Sequence, residues 1–315
     1  MKKLRETTGI HHITAIVGHP QENVDFYAGV LGLRLVKKTV NFDDPGTYHL
    51  YFGNANGSPG TIITFFPWNG AKQGAIGNGQ VGKTSYAIPP GATLFWKSRL
   101  KQYNIAYKEE TRFGEQYLSF SDPHGLLLEL VEREVGEENE WTNQDITKEE
   151  AIKGFAGAVL YSANPDRTIQ VLENVMGLEK VGTENEVTRL QSMSTIGNIV
   201  DVKKSHEKGV MGVGTVHHIA WRAESDAELI EWQQFVRENR LAVTEVRDRN
   251  YFKSIYFKEH GDILFEIATD PPGFSRDEPF ETLGSELKLP VQYESNRKLL
   301  EKTLIPIKNP NGGGS

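Results

Sequence analysis

Apolar and polar positions along the chain fall into the same order four times: an apolar strand, a stretch with helical spacing, then three further strands. In the first module the strand spans 10–17 and the helix 21–31, with Val24, Phe26, Tyr27 and Val30 on one side and Gly32 at its end. Strands at 33–36, 48–52 and 61–66 complete it. The second module opens at 83–88, continues through a helix over 92–103, and ends with a hairpin whose turn is Asp122-Pro123-His124-Gly125 before the strand 126–130. The third begins at 155–161, has a helix over 165–176 closed by Gly177, and ends near 198–202. The fourth runs from Val216 through a helix over 226–239 into strands at 242–246, 254–258 and 263–267, with Glu259-His260-Gly261-Asp262 as its turn.

Four such βαβββ modules predict an α+β fold in which modules pair to form two cupped mixed sheets. The expected segments are 4–131 (modules one and two), 154–270 (modules three and four) and a Pro- and Glu-rich tail over 271–315 whose docking is not readable. The acidic stretch 132–150 reads as a linker with a short helix, and the final Gly-Gly-Gly-Ser is flexible by composition.

Composition narrows the chemistry. The 315 residues are 38% hydrophobic and 24% charged, as in ordinary globular proteins, and the net charge of -7 argues against nucleic acid as a partner. No apolar run reaches membrane-spanning length and the start carries no apolar leader, so the expected location is the cytoplasm. The absence of cysteine excludes disulfides and thiolate ligands, which leaves nitrogen and oxygen for any metal.

Against that background two histidine pairs stand out, His11-His12 in the first strand of module one and His217-His218 in the first strand of module four. Adjacent side chains on a strand point to opposite faces, so one member of each pair is expected to face a site and the other to support it, unless the backbone bulges. Glu266 lies between Phe265 and Ile267 in an apolar strand, where an unpaired carboxylate would be costly to bury. Two histidines and one carboxylate suggest a metal. His19, His124, His206 and His260 lie in loops or turns and are not expected as ligands, and His49 reads as structural.

The four modules and the two His-His pairs resemble the vicinal oxygen chelate (glyoxalase/bleomycin resistance/extradiol dioxygenase) superfamily, and within it the hydroquinone ring-cleaving dioxygenases, with Arg249 and Tyr256 upstream of Glu266 adding to the match. The resemblance implies a three-ligand site of His12, His218 and Glu266, closed when modules one and four share a cup, within one chain or between subunits of a homo-oligomer. At the corresponding positions of modules two and three stand Ser85 and Gly157 or neighbours, and the equivalents of Glu266 are Thr64, Glu129 and Asp201. It further implies Fe(II) as the ion, with Mn(II) on the same ligands as an alternative, and roles for His217, Arg249, Tyr256 and His11 in handling protons and charge. The partners would be a small aromatic diol and O2, with Phe65, Phe66 and Trp68 as candidate ring contacts. The same fold would also serve a metal-dependent glyoxalase-type isomerase or thiol transferase, or a non-catalytic aromatic-binding protein.

Overall fold

The computed structural model describes residues 5–142 and 145–308, so Leu4 and the Gly-Gly-Gly-Ser end lie outside the described residues. Each module contributes four strands. In module one they are β1 (Ile10–Val17), β2 (Arg34–Val40), β3 (Tyr48–Gly53) and β4 (Ile62–Pro67). Module two supplies β5 (Gln80–Ile88), β6 (Tyr107–Arg112), β7 (Glu115–Ser121) and β8 (Leu127–Glu132). Module three supplies β9 (Gly154–Tyr161), β10 (Glu179–Glu184), β11 (Val187–Gln191) and β12 (Ile199–Lys203). Module four supplies β13 (Thr215–Ala223), β14 (Arg247–Asp248), β15 (Phe252–Lys258) and β16 (Leu264–Pro272). The helices after each first strand are α1 (Pro20–Val24, continued as one π turn over Asp25–Val30), α2 (Thr93–Gln102), α3 (Pro165–Asn174) and α4 (Asp226–Glu238).

Two eight-stranded sheets result. One has the order β14-β15-β16-β13-β1-β4-β3-β2 and joins modules four and one; the other, β10-β11-β12-β9-β5-β8-β7-β6, joins modules three and two. The first strands meet antiparallel at each centre, and β1 is buried along its whole length because the sheet is covered on both faces. The helices supply one cover: α4 starts at the N-cap Ser225, whose hydroxyl accepts from the Glu228 amide, and buries Leu229, Trp232 and Val236 at helical spacing.

Several local expectations differ from what is observed. Residues 242–246 form no strand: only Val243 bridges to Phe257, and pairing is regular at Arg247–Asp248, because Thr244 is tied to β15 through its hydroxyl and amide and to Gln233 of α4 through its carbonyl. The described part of 132–150 contains no helix. The tail, described to residue 308, folds into short 3-10 turns and α5 (Arg297–Thr303), and residues 285–288 run beside the outer strand β2. Lys37 reaches Asp277 at 2.7 Å and the buried Glu278 at 2.6 Å, and the Lys288 amide donates to the Lys38 carbonyl, so this segment covers a sheet edge that would otherwise offer unpaired backbone groups. No helix among the described residues is long and apolar enough to cross a membrane.

Strand register carries the feature that matters most for the site. Between β1 and β13, Ile10 faces Trp221 and His12 faces Ala220, so His11 is an extra residue on β1. On the other strand Thr14 faces His218 and Ala15 faces Val216, which makes His217 the extra residue. The same shifts occur between β5 and β9, at Gly82 and Ala156. A bulge therefore sits at one equivalent point of all four modules, and in modules one and four it re-aims a histidine. Counting from the parallel pairs Thr14–Thr64, Ser85–Glu129, Val159–Asp201 and Ala220–Glu266, the residue two before each first-strand member is His12, Lys83, Gly157 and His218. Lys83, not Ser85, thus occupies the imidazole position in module two.

In the second cup cationic side chains surround the carboxylates. Glu129 accepts from Lys83 Nζ at 2.9 Å, from Arg112 Nη2 at 2.8 Å and from Ser85 at 2.7 Å, while Asp201 is held by Arg112 and Arg189. Burial alone would raise the Glu129 pKa, but the hydrogen bonds and charges of Arg112 and Lys83 hold it at about 2. Glu129→Gln is expected to cost roughly 3–5 kcal/mol of stability at neutral pH, because buried cations lose their counter-charge. A carboxylate with a depressed pKa stabilises the fold above its unfolded value, and that contribution is lost as pH falls through the folded one. Denaturation midpoints of variant and wild type should accordingly converge between the ordinary 4.5 and about 2. A constant gap across that window would rule the carboxylate charge out as the cause.

Candidate metal centre

The paired bulges turn both members of each His-His pair into contact with one another. His11 Nδ1 lies 2.9 Å from His12 Nδ1, and His217 Nδ1 lies 2.8 Å from His218 Nδ1. With those nitrogens engaged, the opposite ring nitrogens converge: His12 Nε2 and His218 Nε2 are 3.2 Å apart and lie 3.4 and 2.8 Å from Glu266 Oε2. The two strands that flank β13, β1 and β16, thus deliver one histidine and the carboxylate to the histidine on β13.

All three side chains are buried, and among the described residues Glu266 Oε1 has no hydrogen-bond partner while Oε2 has none but the two imidazole nitrogens. An ionised carboxylate left in that state is costly unless a cation completes it. Burial pushes the Glu266 pKa up, but the adjacent imidazoles more than offset this and hold it well below the carboxylate range. Burial lowers the His218 pKa against the pull of Glu266. Neutral nitrogen and ionised oxygen donors are the forms that bind metal. Among the described residues this is the one cluster of His or acidic groups whose ligand atoms lie close enough together to share an ion.

The cluster forms the floor of a cavity of about 290 Å³. Phe66, Trp68 and Phe252 line it on the apolar side, and His217, Arg249 and Tyr256 on the polar side. Its mouth is formed by residues 41–44, in the connection between β2 and β3. Tyr256 pairs with Glu266 across β15 and β16, and its ring lies 5.8 Å from that of His218. The Tyr256 oxygen accepts from Arg249 Nε at 3.3 Å and from the Ser254 hydroxyl at 3.1 Å. Burial, reinforced by Glu266 and opposed by Arg249, raises its pKa, so the phenol stays protonated around neutrality. Burial and the neighbouring His218 lower His217 to about 3, which leaves it neutral too.

The sequence-derived candidates separate here. His217, Arg249 and Tyr256 reach the cavity, whereas His11 does not line it and contacts His12 and Phe252 instead. Phe66 and Trp68 line it, but Phe65 packs into the core with Tyr27 and Phe52, since strand alternation sends it to the opposite face. His49, expected to be structural, borders the cavity while Thr64 and Tyr51 hold both its nitrogens. Phe252 and the loop 41–44 were not anticipated. Alternation from Tyr256 would have pointed toward Phe252, but no periodicity connects a loop in module one to a site completed by module four.

The family model described as Glyoxalase/Bleomycin resistance protein/Dioxygenase superfamily matches residues 9–130 and 154–274. A Bacillus subtilis protein provisionally named ring-cleaving dioxygenase MhqO is 62% identical over 304 residues, covering 96% of this chain and 97% of that protein. The chlorohydroquinone/hydroquinone 1,2-dioxygenase of Sphingobium indicum is 34% identical over 309 residues, covering 94% and 95%. A crystal structure from Bacillus subtilis, titled as a provisional dioxygenase, superposes with a TM-score of 0.96 at 62% identity, covering 97% of this chain and 99% of that one.

Proposed function

The chain belongs to the glyoxalase/bleomycin resistance protein/dioxygenase superfamily, and we propose that within it the protein is an Fe(II)-dependent dioxygenase that opens the ring of a hydroquinone-type or catechol-type diol. The observation that carries this reading is the buried Glu266 carboxylate, partnered among the described residues by two imidazole Nε2 atoms alone, at the floor of a cavity walled by aromatic rings. His12, His218 and Glu266 would hold the ion, a two-histidine, one-carboxylate set that leaves positions open for substrate and dioxygen. Bound Fe(II), or Mn(II) on the same donors, supplies the one-electron chemistry that lets triplet O2 react with a closed-shell ring.

The remaining residues act on the substrate. A His218 that offers its Nε2 lone pair carries its proton on Nδ1 and donates it to His217 Nδ1, so His217 holds its own proton on Nε2. His217 then presents a donor to a substrate oxygen. Tyr256 accepts two hydrogen bonds, from Arg249 and Ser254, which leaves its own proton free to donate into the cavity. Arg249 fixes that hydroxyl and offsets negative charge on a phenolate, while Phe66, Trp68 and Phe252 exclude water and hold the ring. The volume, just below the roughly 300–1,000 Å³ of drug-sized pockets, suits a single ring. His11 is a positioning residue, fixing the His12 ring through Nδ1.

Anaerobic loading with Fe(II) followed by an oxygen electrode trace against a panel of diols tests the proposal. One O2 consumed per ring opened is the expected result. Metal-loaded protein that consumes no O2 with any diol would overturn it and favour the isomerase or binding-protein readings.

A further inference from the structure

The mouth of the cavity has a charge pattern that the reaction itself does not require. Asp43 and Asp44 line it together with Glu266, giving three carboxylates, and Arg249 is the one guanidinium or ammonium group among the described lining residues. That cation is engaged: both of its terminal nitrogens lie 3.2 Å from Asp43 Oδ2, and its Nε reaches Tyr256. Arg247, half-exposed, approaches the same Asp43 oxygen at 4.0 Å from outside the lining. The loop bearing the two aspartates is tied down. The Tyr293 hydroxyl of the tail donates to the Phe42 carbonyl at 2.8 Å, the Asn41 amide donates to Thr47, and the Thr47 hydroxyl donates to Asp44 at 3.1 Å.

Resting on the reading of this site as one for ring diols, the geometry points to a charge filter: Asp43 and Asp44 admit uncharged diols and reject diols that carry a ring carboxylate. A carboxylated ring entering this mouth meets the charge of Asp44, and its natural counter-ion Arg249 is already paired with Asp43. The ionised substrate must displace Asp43 from Arg249 or remain unpaired in a partly dehydrated site. A hydroquinone, whose hydroxyls are neutral at pH 7, meets neither cost.

The test uses the full chain loaded with Fe(II) without oxygen, with hydroquinone and 2,5-dihydroxybenzoate as probes. Binding is measured by calorimetry in the absence of turnover, and kcat/KM by oxygen uptake. The wild type should bind hydroquinone more tightly by on the order of 10²-fold, as expected for unpaired like charges at close range. Asp43→Asn and Asp44→Asn together should narrow the ratio of the two Kd values at least about tenfold, chiefly by improving the acid. Asp44→Asn alone, which leaves the Arg249 contact in place, should narrow it in the same direction. Equal binding of both probes by the wild type would overturn the filter while leaving the proposed reaction standing, as would an unchanged ratio in the folded variants. Failure of every diol to bind would overturn both.

Discussion

Glu266→Ala is expected to abolish metal retention and to lower turnover by about 10³-fold or more. Removing a group that merely hydrogen-bonds a ligand costs roughly 10–100-fold in metal affinity or activity, and Glu266 would be a ligand itself. It is also the only anionic group in the cluster, so its loss leaves two imidazoles to hold a divalent cation in a buried site. His12→Ala and His218→Ala should behave alike, since a three-donor site has no spare donor. A ligand that binds only the folded state stabilises it by about 2.7 kcal/mol at 100 times its Kd. Added Fe(II) should therefore raise the melting temperature of the wild type and leave that of Glu266→Ala unmoved. Metal analysis that finds full occupancy in any of the three variants would remove that residue from the ligand set.

The reason such a site is only half legible in a sequence lies in the bulges. The four-module order, the mixed sheets and the two His-His pairs all follow from apolar periodicity and from repetition at matching places. Strict alternation, however, sends His11 and His217 to the face opposite His12 and His218. The structure instead brings each pair within hydrogen-bond distance, because one extra residue enters each central strand. Nothing in the composition of Ile10-His11-His12 marks that insertion. The equivalent bulges at Gly82 and Ala156 carry small residues, so there the irregularity aims no side chain at anything.

The same offset explains why Lys83 was missed at the imidazole position of module two: two residues of misregister are invisible until the parallel pair Ser85–Glu129 is seen. Once register is known, the two cups read as alternative solutions to one problem. Each buries a carboxylate at the same place on its sheet. Module two neutralises Glu129 with the covalently attached cations Lys83 and Arg112, whereas Glu266 has neither and faces two imidazoles. Long-range placement was the other limit. The loop 41–44 and the tail that pins it through Tyr293 meet the site only by virtue of the sheet joining modules one and four.

Tyr256→Phe is expected to keep fold and metal while lowering kcat by about 10²–10⁴-fold, the span typical of a general acid–base group. The substitution removes one oxygen and nothing else. Two donors lose their acceptor, but Arg249 retains Asp43 and the Ser254 hydroxyl can turn, so the stability cost should stay near the ~1 kcal/mol of an ordinary hydrogen bond. The Tyr256 pKa is raised by burial and by Glu266, so the wild-type hydroxyl acts as a protonated donor throughout the neutral range. A donor of that kind loses its proton only at strongly alkaline pH. The kcat profile of the wild type should therefore show no decline near neutrality attributable to this group, and the variant's profile should be displaced downward without a change of shape. A residue with a purely structural role would instead lower stability or metal content in step with activity. Equal kcat in the two proteins, with iron fully bound in both, would return Tyr256 to the cavity wall.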